Sequence, residues 1–197
     1  MAELQYPTPP LADTLVLLRP WRSEDVPGKL MAFGDPLVHR FAWSRTAAYT
    51  EADARDYFVE QETDRLAGHA LTVAIVDPND EATVFGGASL YDVDLDTQRA
   101  GIGYWLAPEA RGRGVASHTV RLLADWAFSV LGLKRIKLTC APDNDASQRV
   151  AVRCGFVREG VLRSDIVFKD ARRDSVMFSL LPGEVREHGG SQRREPG

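Results

Sequence analysis

Residues 99 to 132 constrain this chain most. An apolar run, RAGIGYWLA, enters the glycine turn PEARGRG and leaves it as a long amphipathic stretch. Val115, Thr119, Leu122, Leu123, Trp126, Ala127 and Val130 recur at steps of three and four residues, which predicts a helix with one apolar stripe, ended by Gly132. A strand, a glycine turn and a half-buried helix in succession require a layered fold in which that helix lies on a sheet. The turn also has chemical content. The first amides of a helix have no carbonyl partner inside it, and the positive end of the helix dipole stands behind them. Gly112 and Gly114 carry no Cβ to block an approaching diphosphate, and Arg111 and Arg113 can add charged hydrogen bonds. A turn that merely opens a helix would satisfy the same letters, so context must decide.

Upstream, TLVLLRP (residues 14 to 20) reads as a strand, followed by a short helix at Ser23 with Glu24 and Asp25 in its first turn. A second helix starts at Thr50 and stops at Gly68. The runs 70–77, 83–94 and 99–107, separated by PNDE and LDTQ, predict an antiparallel meander. After the long helix come a strand at 135–141, a helix capped by Asn144 and closed by Gly155, and a hairpin turning at KDARR. The fold class is therefore mixed α/β, with helices on a mostly antiparallel sheet. The proline-rich residues 1–12 and the polar residues 182–197 read as flexible tails around one domain at 13–181.

With 44% apolar and 26% charged residues the chain is globular, and its net charge of -4 argues against a surface that coats nucleic acid. An anion site must be local. Cys140 and Cys154 have neither disulfide-framework nor CxxC spacing, and His39, His69, His118 and His188 lie far apart, so no metal site is expected. No signal-peptide pattern or long apolar run occurs, which gives the expectation of a cytoplasmic protein without membrane contact.

Two nucleotide motifs fail. There is no GxxxxGK[ST], and GRGVAS has serine where GxGxxG requires its third glycine. A different match holds. From about Thr14 to Leu181 the chain resembles the GCN5-related N-acetyltransferases (GNAT): Arg111, Gly114 and Ala116 fit the acyl-CoA signature Q/R-x-x-G-x-G/A. Asn144, Ser147, Arg153, Gly155 and Phe156 fit N-x-x-S-x-x-V-x-x-[KR]-x-G-F, the pattern of the branch resembling Rim-type ribosomal-protein N-terminal acetyltransferases. This resemblance implies a sheet of about six or seven strands with helices on both faces. It also implies acetyl-CoA, or another acyl-CoA such as succinyl-CoA, as co-substrate.

In such a fold the amides from Gly112 through Arg113, Gly114, Val115, Ala116 and Ser117 would cradle the CoA pyrophosphate. Arg111 and Arg153 would lie nearby, and the backbone at Trp105, Leu106 and Ala107 would hold the pantetheine arm. Acyl transfer to an amine needs a polarised carbonyl, an uncharged amine and a proton for the departing thiolate. Asn144 and Ser147 share one helix face, where Asn144 can reach the pantetheine amide and Ser147 the sulfur. Many family members carry a tyrosine four residues beyond Ser147; here that residue is Ala151, which leaves Ser147 or a water as proton donor. For the base, Asp92, Asp94 and Asp165 are candidates, or no protein base exists, because a terminal α-amine titrates at about 8.

HRFAWSR (residues 39 to 45) is expected to be a loop, and Trp21, Phe41, Trp43 and Tyr91 are expected to line an acceptor cleft or to be ordinary core. The acceptor is expected to be an amine, on a protein N-terminus or a small molecule; a homodimer stays open. So do two other classes, a noncatalytic acyl-CoA-binding module and a structural interaction domain.

Overall fold

The computed structural model describes residues 3–186. Its strands are β1 (Leu11–Ala12), β2 (Leu17–Arg19), β3 (Leu71–Asp77), β4 (Asp80–Asp94), β5 (Arg99–Leu106), β6 (Arg135–Cys140), β7 (Val157–Phe168) and β8 (Ala171–Leu180). They form one sheet in the order β1-β2-β3-β4-β5-β6-β8-β7, antiparallel throughout except between β5 and β6. Eight strands exceed the expected count by one because β1, two residues long, is too short to show a period in the sequence. Five helices flank the sheet: α1 (Val26–Phe33), α2 (Pro36–Phe41), α3 (Glu51–Leu66), α4 (Val115–Ser129) and α5 (Asp145–Cys154).

The amphipathic stripe is α4. Val115, Val120, Leu123, Ala124 and Ala127 are fully buried in one cluster with Ile102, Ile136, Leu138 and Phe178 of the sheet. Each large aliphatic side chain so buried contributes about 1.5–3 kcal/mol. Val130, counted in the stripe from its spacing, lies beyond the helix end and is exposed. α5 lies beside α4, while α1 and α3 cover β4 and β3. Between β2 and α1 the buried pair Arg19–Asp25 fixes the chain entry with two parallel hydrogen bonds of 2.8 Å.

Three expectations change. Residues 3–12 are tied down, not loose: Leu4 is 2% exposed, its amide bonds Arg65 O, and the Arg65 guanidinium grips Leu4 O. An apolar residue among prolines was enough to reach the core. At the other end, Arg186 N–H bonds Cys154 O, and the rest of the expected tail lies outside the described residues. His39–Phe41 belong to α2, whose start is marked by Asp35 accepting from the Leu37 and Val38 amides and by Pro36 in the first turn. The hairpin turn is only Lys169–Asp170, both with positive φ, as a two-residue I′ connection requires, so Arg172 and Arg173 belong to β8.

Candidate active site in the split of the sheet

β5 and β6 pair over only three rungs, Arg99–Arg135, Ala100–Ile136 and Gly101–Lys137. Past these β5 stays with β4 as far as Leu106–Gly86, and β6 stays with β8 as far as Cys140–Val176, so the two strands diverge. A cleft of about 730 Å³ opens between them, bounded by α2, the glycine turn and the start of α5.

In an antiparallel ladder alternate residues turn their backbone groups to opposite neighbours. The Ala107 N–H to Phe85 O bond, 2.9 Å, fixes the phase of the β4–β5 ladder. Trp105 and Gly103 therefore bond to β4, while the backbone groups of Ile102, Tyr104 and Leu106 face the split. The expectation that Trp105 and Ala107 offer their backbone is corrected by one residue of phase. Leu106 O is already occupied by the Arg111 guanidinium, at 3.1–3.3 Å.

The glycine turn is built for an anion. Gly112 and Gly114 have φ of 73° and 90°, a region that L side chains enter only with strain, and Gly114 is the residue at which α4 begins. His118 N–H is the first amide of α4 to bond a carbonyl, Gly114 O; those of Val115, Ala116 and Ser117 have no acceptor among the described residues. A Cβ on Gly112 would meet nothing within 4 Å. Ser117, 1% exposed, lines the cleft with an Oγ that has no hydrogen-bond partner among the described residues. These amides and this hydroxyl fit a diphosphate.

The two arginines of the turn do other work. Arg111 bonds Asp35 Oδ1 at 2.5 Å and so ties the turn to the cap of α2; Arg113 stacks on Phe85, 5.0 Å from its centroid, outside the cleft wall. Arg153 does line the cleft, exposed on α5. Valine at Gly114 would have to adopt φ near +90°, at a cost of about 1–3 kcal/mol. Gly114→Val should therefore weaken CoA binding by about tenfold or more, measured by calorimetry.

At the other end of the cleft two hydroxyls meet. Asn144 caps α5, its Oδ1 accepting from Ser147 N at 3.1 Å, so its side chain is committed to the helix. Ser147 Oγ accepts a 3.3 Å hydrogen bond from the Tyr104 hydroxyl. Burial pushes the Tyr104 phenol well above its ordinary pKa, so it remains a donor. A phenol thus stands beside Ser147 although residue 151 is alanine; it comes from β5, in the run GIGYWLA, where no helix spacing could reveal it. Cys140 lies beside this pair, its thiol also pushed up by burial and so kept protonated; Cys154 is buried away from the cleft.

None of the three candidate carboxylate bases joins them; Asp94, absent from the cleft wall, accepts from Thr97 N at 2.9 Å. Asp92 has φ 49° and points to Lys137 Nζ, 2.7 Å away; Asp165 lies on β7; and both are missing from the cleft wall. The acids in that wall are Asp143 of the β6–α5 turn and Asp145 at the start of α5, with Asp143 held by Arg40. Of the four rings considered for the acceptor side, Phe41 and Tyr91 line the cleft. Trp21 and Trp43 belong instead to an aromatic cluster with Phe33, Tyr49, Phe58 and Trp105 on the face away from α4. Lys29 ends inside that cluster, 1% exposed and without a hydrogen-bond partner among the described residues, its Nζ 3.1 Å from the Tyr57 ring centroid and 5.1–5.8 Å from four other rings. Desolvation brings its pKa down to about 6.

No helix among the described residues is long and apolar enough to cross a membrane, and no group of three metal-ligating side chains occurs among them. A family model described as an acetyltransferase (GNAT) domain matches residues 16–157. An uncharacterized N-acetyltransferase of Bacillus licheniformis is 33% identical over 175 residues, 88% of this chain and 94% of the relative. The ribosomal-protein-serine acetyltransferase of Escherichia coli (strain K12) is 30% identical over 101 residues, 51% of this chain and 56% of the relative. Several other curated relatives are likewise matched over little more than half their own length. The fold is shared with Mycobacterium smegmatis RimJ in complex with CoA-disulfide, with a TM-score of 0.75 at 23% identity, covering 87% of this chain and 84% of RimJ. The split sheet, the open glycine turn and these matches agree: the chain belongs to the acetyltransferase (GNAT) family, with a ribosomal-protein-serine acetyltransferase among its relatives.

Proposed function

We propose that this protein transfers an acetyl group from acetyl-CoA to a primary amine by direct attack, with donor and acceptor bound together. The observation that carries this reading is that one cleft holds the open amides of Gly112–Ser117 at one end and the Tyr104–Ser147 hydroxyl pair at the other. The amides and Ser117 Oγ hold the diphosphate, with Arg153 adding charge at the rim. The free backbone groups of Tyr104 and Ile102 hold the pantetheine arm in the split and orient the thioester. Ser147 donates its proton to the departing sulfur and takes one from Tyr104, and the proton released by the nitrogen after attack passes through water to restore Tyr104. No carboxylate is assigned as base; an α-amine with a pKa of about 8 reaches its neutral form through water.

The likeness to an enzyme named for a ribosomal protein favours a protein N-terminus as acceptor over a small-molecule amine. The cytoplasm, where CoA and free thiols such as Cys140 and Cys154 coexist, is the setting proposed. The test is thiol release from acetyl-CoA, followed with DTNB, against short peptides, polyamines and aminoglycosides. Acceptor-dependent release is the expected result. Binding of acetyl-CoA without release for any amine would leave only a binding module.

A further inference from the structure

The cleft holds a cation, Arg173, that makes no ion pair among the described residues. Arg173 sits on β8 three residues before Val176, the partner of Cys140 at the end of β6. β8 thus runs on past β6, and the order β5-β6-β8 puts Arg173 across β6 from the glycine turn. Val176 and Phe178 are buried on the side of α4 and α5, so strand alternation sends Arg173 to the opposite face, with Tyr91 and Thr139, whose hydroxyls lie 3.5 Å apart. Its side chain lines the cleft that contains Ser147.

The guanidinium lies against the Phe168 ring, 3.9 Å from the centroid. Stacking fixes the plane and leaves its edge donors free to bind in a fork. Nε is shut off from solvent and bonds nothing among the described residues, and Arg173 makes no ion pair there. Asp143, the acid whose charge it feels, is bonded to Arg40 Nη2 at 2.5 Å. Burial lowers its pKa, the sign of a charge short of counter-charge. In the reading above the phosphates of CoA rest on the glycine turn, across β6 from Arg173.

We propose that Arg173 recognises a carboxylate at the acyl and acceptor end of the site, carried either by the acyl chain of the donor or by the amine acceptor. This rests on the acyl-CoA reading above. A planar carboxylate matches the fork of a stacked guanidinium, and a hydrogen bond to a charged group in a partly desolvated site is worth about tenfold or more in affinity.

The experiment compares wild type with Arg173→Gln and Arg173→Lys, each first checked for an unchanged far-ultraviolet spectrum and urea midpoint. Calorimetry with acetyl-CoA and succinyl-CoA probes the donor; thiol release with glycylglycine and its C-terminal amide probes the acceptor. A tighter fit for succinyl-CoA in wild type, with the succinyl-to-acetyl ratio collapsing in Arg173→Gln, supports the donor as source. Equal donors, with a lower KM for glycylglycine than for its amide in wild type only, support the acceptor. Under either, Arg173→Lys should be intermediate, since it keeps the charge and loses the fork. If wild type binds CoA yet neither ratio differs from one or responds to Arg173→Gln, the inference is overturned while the acyl-CoA reading stands. Absence of CoA binding by folded wild type would overturn both.

Discussion

Ser147→Ala is expected to lose about two orders of magnitude in kcat for acetyl transfer while its affinity for acetyl-CoA changes by no more than about threefold. The hydroxyl sits at the first turn of α5, positioned by the Asn144 cap, and receives the Tyr104 hydrogen bond, so its own proton is directed elsewhere. A thiolate leaving without a proton donor must wait for water, which raises the barrier of that step and leaves diphosphate binding untouched. Tyr104→Phe should cost less, about tenfold, because Ser147 can still donate once. The double variant should resemble Ser147→Ala, since the two hydroxyls act as one unit. Normal kcat in Ser147→Ala would remove the serine from the proton path.

Lys29→Met should make the protein more stable, by about 2–3 kcal/mol at pH 7. The amine is buried with no hydrogen-bond partner among the described residues, and its folded pKa of about 6 lies far below a lysine's ordinary 10.5. A group with a depressed amine pKa binds its proton more readily in the unfolded chain. Stability is then fully present above pH 10.5, falls as pH drops from there to about 6, and is level below that. At pH 7 the gap corresponds to about 4–5 kcal/mol, from which the repacking of methionine among the five rings subtracts about 1–3. Urea melts at pH 6, 7.5 and 9 check the sign: wild-type stability should climb with pH, and the K29M variant should lack that slope. A variant less stable than wild type at pH 7.5 would show that the rings hold a charged ammonium at a profit.

Most of the frame was legible because it rests on local signals. The stripe of α4, the meander 71–106, the Asn144 cap and the Gly155 stop each depend on residues within a few positions of one another. The glycine turn was legible for the same reason. What the sequence hid depends on pairing between distant segments. Tyr104 and Ser147 are joined only because β5 and α5 face each other across the split, and Asp92 left the site because a positive φ turned it toward Lys137. Arg111 looked like a phosphate ligand until Asp35, far upstream, claimed it. α2 could have been found, since Asp35-Pro36 is a start signal; the aromatic content of residues 39–45 drew attention to a cleft instead.

The three rungs joining β5 to β6 make the aperture of the cleft a matter of angle. Ala100 and Ile136, 3% and 0% exposed at that vertex, sit deep in the interior and far from any reacting atom. A bulkier residue at Ala100 would act as a wedge in a hinge: a small displacement there, magnified along the diverging arms, would separate sulfur and hydroxyl while leaving every group of the site chemically intact.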